Sequence, residues 1–480
     1  MATMARLQSG IAFLMGLMAL VTAQETPPVS VSEAVRLANQ GKIQEAIEAF
    51  EALYQRAPDN KTVLSWLGYL YLKAGKPAEA VPILEKAVQS TPNSAEAWNN
   101  LGNAYLHTGQ LEKAIEAYKK TLELKPNSAD AHYNIANLYT KTKQYQLAIQ
   151  HYQQAIKLNP RDANAYNNLG YVYQMQQLAR RAMEMYRKAV ELDPKNLTFR
   201  YNYALSLAAL QQYKEAAAEL ERVLPQQPSE TAGWLKLAEC YVYLKNMPRA
   251  LQTLQRAISL HPNQPDLHYN LGVLHLQQGN LSAAANAFQN TLNLRPDDAE
   301  ALAQLGYVYL RQKRLDDAIA ALQTALERNP KLDSARLNLA TALRLKGNKE
   351  EAMRLYRQVL SANPQQFEAR LALGDLLMES GDLKGAETHY RLAIKINDRS
   401  DVAWNNLGLV LLRTNRVNEA VQALERAVSL NPKSPAALNN LGAAYERKGD
   451  IAKAKTMYRQ ALAVDPRFEE ARANLKRLGE

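Results

Sequence analysis

Apolar side chains recur along this chain at helical spacing, in runs of about a dozen residues separated by short polar breaks. Between residues 95 and 128, Trp98, Leu101, Gly102 and Tyr105 mark one face of a first helix, and Gly109 interrupts it. Ala114, Tyr118 and Leu122 then mark a second helix that ends before Pro126. Glycine at the break suits a left-handed helix cap. Proline after the second helix lacks the N–H that would let it continue.

The same block recurs without insertion. Proline stands at Pro58, Pro92, Pro126 and every thirty-fourth residue to Pro364, then at Pro432 and Pro466, with Asp398 in the gap. Alanine keeps this step unbroken from Ala46, Ala80 and Ala114 to Ala454. Thirteen units result: 27–60, 61–94, 95–128 and onward in steps of 34 to 435–468, with no domain boundary expected inside. Positions below are counted from the first residue of each unit, so that residue 95 is position 1 of the third. The small residue at position 8 (Gly68, Gly102, Ala136, Gly170) and the alanine at position 20 permit close helix approach, and Tyr71, Tyr105 and Tyr139 are expected to fill the space opposite. Ser30-Val31-Ser32-Glu33 reads as a capping box opening a shortened first helix. Residues 469–480 read as a C-terminal capping helix with Ala471, Leu475 and Leu478 on its inner face. Pro82 falls near the start of a second helix, and Pro225 is expected to end one early.

The 34-residue period, with Trp98, Leu101-Gly102, Tyr105, Ala114 and Pro126 in order, is similar to the tetratricopeptide repeat family over residues 27–468. The resemblance implies an all-α fold, a right-handed alpha-alpha superhelix whose concave face is lined by the first helix of each unit. It also implies that this face binds segments of other proteins.

Residues 1–23 do not share the repeat. Arg6, an apolar run from Ile11 to Ala23 and the small residues of Val21-Thr22-Ala23 read as an export signal, with 24–26 as a short linker. The run is short of the about 20 residues a membrane span needs. Membrane contact is therefore expected only if the signal is an uncleaved anchor. A bacterial periplasmic location is the first expectation, with secretion or anchoring as alternatives.

Composition narrows the chemistry. The 480 residues are 47% hydrophobic and 22% charged, which excludes a disordered chain. Cys240 is the only cysteine, so neither a disulfide within the chain nor a thiolate zinc cage can form, and it reads as a packed side chain. The net charge of +11 is spread over the units without a stripe, so no nucleic-acid partner is expected. Gly75-Lys76-Pro77 and Gly347-Asn348-Lys349 fall at helix breaks and lack the rest of a phosphate loop. Of the seven histidines only His268 and His275 share a helix face, where other units have Trp98 and Tyr105, so packing explains them. No catalytic residue, metal site or cofactor is expected, and the chain reads as no enzyme.

Position 6 carries the one functional pattern: Asn100, Asn134, Asn168, Asn202, Asn270, Asn338, Asn406 and Asn440. A carboxamide offers donor and acceptor together, so an even row of them can hold the backbone of an extended peptide whatever its side chains. The row resembles the asparagine ladder in the repeat domain of O-linked N-acetylglucosamine transferases, without their catalytic domain. The other reading is that asparagine is tolerated there because the face is wet. Asn99, Asn103, Asn137 and Asn167, with Tyr133 and Lys141, are expected to make units three to five the strongest stretch, and the groove near Arg413 and Arg447 is the fallback. Position 5 holds no lysine, so the carboxylate clamp by which some members of the family hold chaperone tails is not expected. The predicted function is a monomeric, non-enzymatic scaffold for extended peptide segments. The alternatives are an accessory subunit of an envelope polysaccharide-export or secretion machine, or the regulatory half of a separately encoded enzyme.

Overall fold

A computed structural model describes residues 29–480. The signal 1–23, the linker 24–26 and the first two residues of unit one lie outside the described residues. Among the described residues there are 27 helices and no strand. The chain forms two compact units that divide between Leu244 and Lys245, in the turn joining the two helices of repeat seven. The first unit runs from helix Val31–Asn39 to helix Thr231–Tyr243, and the second from Met247–Leu260 to Glu469–Arg477.

Three local devices recur in both units. The first is an N-cap on the last residue of the preceding repeat. Ser94, Ser128, Asp162, Asn196, Asp298, Ser400 and Ser434 each accept an N–H from the opening turn of a first helix, as Ser94 does from Ala97 at 3.2 Å. The second is a left-handed residue at position 15, such as Gly109 at φ +77°. Lys143, Gln177, Gln211, Lys245, Lys313 and Asn415 hold φ of 57–62° there without being glycine. The turn therefore imposes this conformation whatever residue occupies it. The third was not foreseen: the side chain at position 4 donates to the carbonyl six residues earlier. Trp98 Nε1 reaches Pro92 O at 2.9 Å, Arg200 Nε reaches Pro194 O at 2.8 Å, Arg370 Nε reaches Pro364 O at 2.8 Å, and Trp404 Nε1 reaches Asp398 O at 2.9 Å. His268 does the same through Nε2 to Pro262 O at 2.9 Å, so its place is hydrogen-bonded as well as packed.

The alanines of position 20 are buried throughout, Ala114 and Ala284 fully so. A Cβ added to Gly102 would stand 2.7 Å from the Tyr118 ring, and at Gly374 2.7 Å from Tyr390. The bulk facing position 8 is thus the aromatic or leucine at position 24, not the tyrosine at position 11. Tyr105 instead sends its hydroxyl to Glu85 of the preceding repeat at 2.6 Å, and Tyr71 reaches Glu51 at 2.7 Å. The expectation for Tyr71, Tyr105 and Tyr139 missed this because a phenol has a polar end that must be satisfied when half-buried.

At the ends, Glu33 N–H donates to Ser30 Oγ at 3.2 Å, but the Glu33 carboxylate turns to Arg36, so only half of the capping box forms. Helix Glu469–Arg477 buries Ala471 and Leu475. Pro82 is accommodated inside helix Pro77–Ser90, and helix Tyr213–Val223 ends short before Pro225. Cys240 is fully buried, and burial pushes its thiol up to about 11. Among the described residues no helix is long and apolar enough to cross a membrane.

Candidate binding face

Within each unit, first helices of successive repeats lie side by side, and asparagine at position 6 reaches position 5 or 9 of the repeat before. In the first unit Asn134 Nδ2 donates to Asn103 Oδ1 at 3.3 Å, and Asn168 Nδ2 donates to Asn137 Oδ1 at 3.0 Å and to Tyr133 OH at 3.1 Å. Each acceptor is itself fixed from within its repeat, Asn103 by Tyr118 OH at 2.6 Å and Asn137 by Tyr152 OH at 2.5 Å. Asn202 Nδ2 donates to Asn167 Oδ1 at 2.9 Å, and Asn167 passes a bond to Asn168 at 3.1 Å. All of these amides are half-buried.

The second unit builds the same relay with different residues. Asn440 Nδ2 donates to Asn405 Oδ1 at 3.0 Å, Asn405 to Asn406 at 3.1 Å, and Asn406 to Asp375 Oδ1 at 2.9 Å. Asp375 also accepts from Tyr390 OH at 2.7 Å, and burial holds its carboxyl above the usual range. Asn474 Nδ2 donates to Asn439 Oδ1 at 3.0 Å. Asp375 and Asn474 escaped the sequence reading. Asn474 lies one 34-residue step beyond Asn440, so carrying the step past residue 468 finds it.

This changes the meaning of the row. Six of the position-6 carboxamides, with Asn474 counted among them, tie one repeat to the next and are not simply groups tolerated on a wet face. Asn100, with Ser65 and Tyr69 at positions 5 and 9 of the preceding repeat, and Asn338, with Ala303 and Tyr307 there, make no such bond among the described residues. Asn270 turns back to Asp266 O of its own helix at 2.8 Å. Asn99 Oδ1 is buried without a partner. Lys141 is exposed at the end of helix Ala129–Lys141. Arg413 and Arg447 donate to Met378 O at 3.1 Å and Leu412 O at 2.6 Å, the carbonyls one repeat back.

Beside Asn100 a cleft of about 600 Å³ opens between repeats one and three, walled by Trp66, Tyr69 and Leu70, with Lys73 and Glu96 on its rim. Trp66 occupies position 6 of repeat two, the slot that asparagine fills in most later repeats.

Histidine pairing also went beyond the sequence reading. His132 and His151, on the two helices of repeat four, bring their Nδ1 atoms to 3.0 Å. His132 Nε2 lies 3.1 Å from Pro126 O. A carbonyl only accepts, so that nitrogen carries the hydrogen, His132 Nδ1 is the acceptor, and His151 Nδ1 donates. Burial holds both imidazoles below their ordinary 6.5, with His132 and Lys119 adding to the effect on His151, which falls to about 4. Among the described residues no three His, Cys, Asp or Glu side chains gather to hold a metal ion.

The comparisons with known proteins agree with the repeat geometry. The family model described as "Cilia and flagella-associated protein 70 C-terminal domain", a tetratricopeptide-repeat model, matches residues 12–231 and 223–397, and a second, described as "Tetratricopeptide repeat", matches 400–467. Among solved structures, the APC/C hetero-tetramer Cut9-Hcn1 aligns over 93% of this chain and 95% of that chain at 16% identity and a TM-score of 0.44. MamA aligns over 34% of this chain and 95% of that chain at 29% identity and a TM-score of 0.33. MamA 41-end from Desulfovibrio magneticus RS-1 aligns over 35% and 96% at 26% identity and a TM-score of 0.34. No curated protein matches. The helix pairs, the 34-residue step and family models that together span most of the sequence place this chain in the tetratricopeptide-repeat family.

Proposed function

We propose that this chain is a non-enzymatic scaffold that binds extended peptide segments of partner proteins along the face built by its first helices. The observation that carries the reading is the surplus of hydrogen-bonding groups on that face. A carboxamide has two N–H donors and two acceptor lone pairs. A position-6 asparagine such as Asn134 spends one donor on the preceding repeat, which leaves the other groups for a ligand backbone.

Panning a display library of random dodecapeptides on the full chain tests the reading. Enrichment of peptides that compete with one another for one face is the expected result, and a library that yields no enriched peptide sinks it. We place the mature protein outside the cytoplasm, from Arg6, the apolar run to Ala23 and Val21-Thr22-Ala23. Terminal sequencing of the exported material is expected to begin at Gln24, and a chain still starting at Met1 would refute cleavage.

A further inference from the structure

We infer that the cleft at Trp66 and Tyr69 anchors a short peptide segment bearing a large apolar side chain flanked by opposite charges. This rests on the peptide-binding reading above and names the ligand class for one part of the face. Repeat two places an indole where most later repeats place asparagine, and beside it Asn100 makes no hydrogen bond among the described residues. The cleft therefore joins an apolar wall to a half-buried carboxamide whose donors and acceptor are all unspent.

The rings make a slot. Phe50 stacks on Trp66 with centroids 6.1 Å apart and planes 9° apart, and Tyr69 stands perpendicular to the indole at 6.0 Å. With one indole face covered and the neighbouring ring upright, the site offers no broad aromatic platform for a flat sugar. It offers instead a pocket for an inserted side chain, floored by Leu70.

Charge sets the direction of the ligand. Lys73 ends helix Lys61–Lys73, and its ammonium lies over the Tyr69 ring, 5.6 Å from the centroid. Glu96 lies in the first turn of helix Ala95–His107. Both are exposed, and neither forms an ion pair among the described residues. Because neighbouring first helices run in register, positions 2 and 13 mark opposite ends of the cleft, about 16 Å apart at 1.5 Å per residue. An extended peptide covers that span with about five residues. The fitting segment therefore carries an acidic residue at the Lys73 end, a basic residue or free amino terminus at the Glu96 end, and a Phe, Trp or Leu between them, with its backbone on Asn100.

The test pans random hexapeptides, displayed between Gly-Ser flanks, on the full chain, and titrates selected peptides by fluorescence anisotropy. Selection of the basic–apolar–acidic pattern is expected. Asn100→Ala should weaken binding about threefold to tenfold, as one hydrogen bond does. Lys73→Glu should weaken it at least as much and recover affinity for peptides whose acidic residue is replaced by lysine. Both positions are solvent-accessible, and matching thermal melts confirm that the variants fold. Selected peptides that lack the pattern, or that ignore both variants, overturn this assignment and leave the wider binding face standing. An empty selection overturns both. Displacement of the selected peptides by a synthetic copy of residues 24–30 assigns the cleft to the chain's own N-terminal segment and overturns the assignment to a partner.

Discussion

Asn168 and Asn100 hold the same position in repeats five and three, yet they differ in what surrounds them. Asn168 donates to Asn137 and Tyr133, whereas Asn100 makes no hydrogen bond among the described residues. With the bond it accepts from Asn167, three lost bonds at about 0.5 to 1.5 kcal/mol each put the cost of Asn168→Ala at about 1.5 to 4.5 kcal/mol, while Asn100→Ala should leave stability within about 0.5 kcal/mol. Urea unfolding followed by circular dichroism compares the two, and equal midpoints would contradict the tie. The asparagine series itself was legible from the 34-residue step. Its use was not, because a hydrogen bond needs a partner, and the partner changes from Asn137 to Asn167 to Asp375 at different positions of the preceding repeat. Periodicity reports which face a residue occupies and is silent on what waits opposite.

Within the helix pair, the turn and the two facing helices each carry a testable consequence. Gln177 holds φ +58° in the left-handed region, where a side chain costs about 1 to 2 kcal/mol relative to the right-handed region and glycine does not. Gln177→Gly should stabilise the chain by about 0.5 to 1 kcal/mol after the greater freedom of glycine in the unfolded chain is set against the relief. A rise in the urea midpoint checks it, and a fall would show that the turn stores no such strain.

The His132–His151 pair predicts a pH response. His151 is held near 4 in the folded chain against an ordinary 6.5, so the unfolded state binds the proton more tightly. The contribution to stability is complete above 6.5 and fades as the pH falls from 6.5 towards 4. Hydrogen exchange in repeat four should quicken across that window, and His151→Phe should flatten the response. The sequence concealed this pair because its members sit 19 residues apart on different helices, a spacing that Arg200 and Glu219 share as an ion pair at 2.6 Å. By contrast, helix existence, the breaks and the buried alanines were legible throughout, since each follows from local periodicity and from sterics that act within one turn.

At the scale of the chain, cohesion comes from neighbouring repeats, so opening is expected to proceed from the ends of the array. Amides of helix Ile43–Arg56 and helix Glu469–Arg477 should exchange faster than those of helix Tyr145–Leu158 and helix Leu383–Ile396. Equal protection at all four places would show a single cooperative transition instead.

The bond from position 4 to the carbonyl six residues back crosses every junction at which it forms, and its acceptor is main chain. Asp398 serves as well as the prolines, and tryptophan, histidine and arginine all serve as donors. A junction made this way does not discriminate between the modules it joins. Excising residues 163–196 brings Arg200, a donor of this kind, up to the carbonyl of Pro160 across the same count of residues, and duplicating a block preserves that count as well. Array length can therefore change by unequal crossover in whole modules, with this main-chain joint renewed wherever the incoming module carries a donor at position 4, and reach becomes a property that selection can lengthen or shorten.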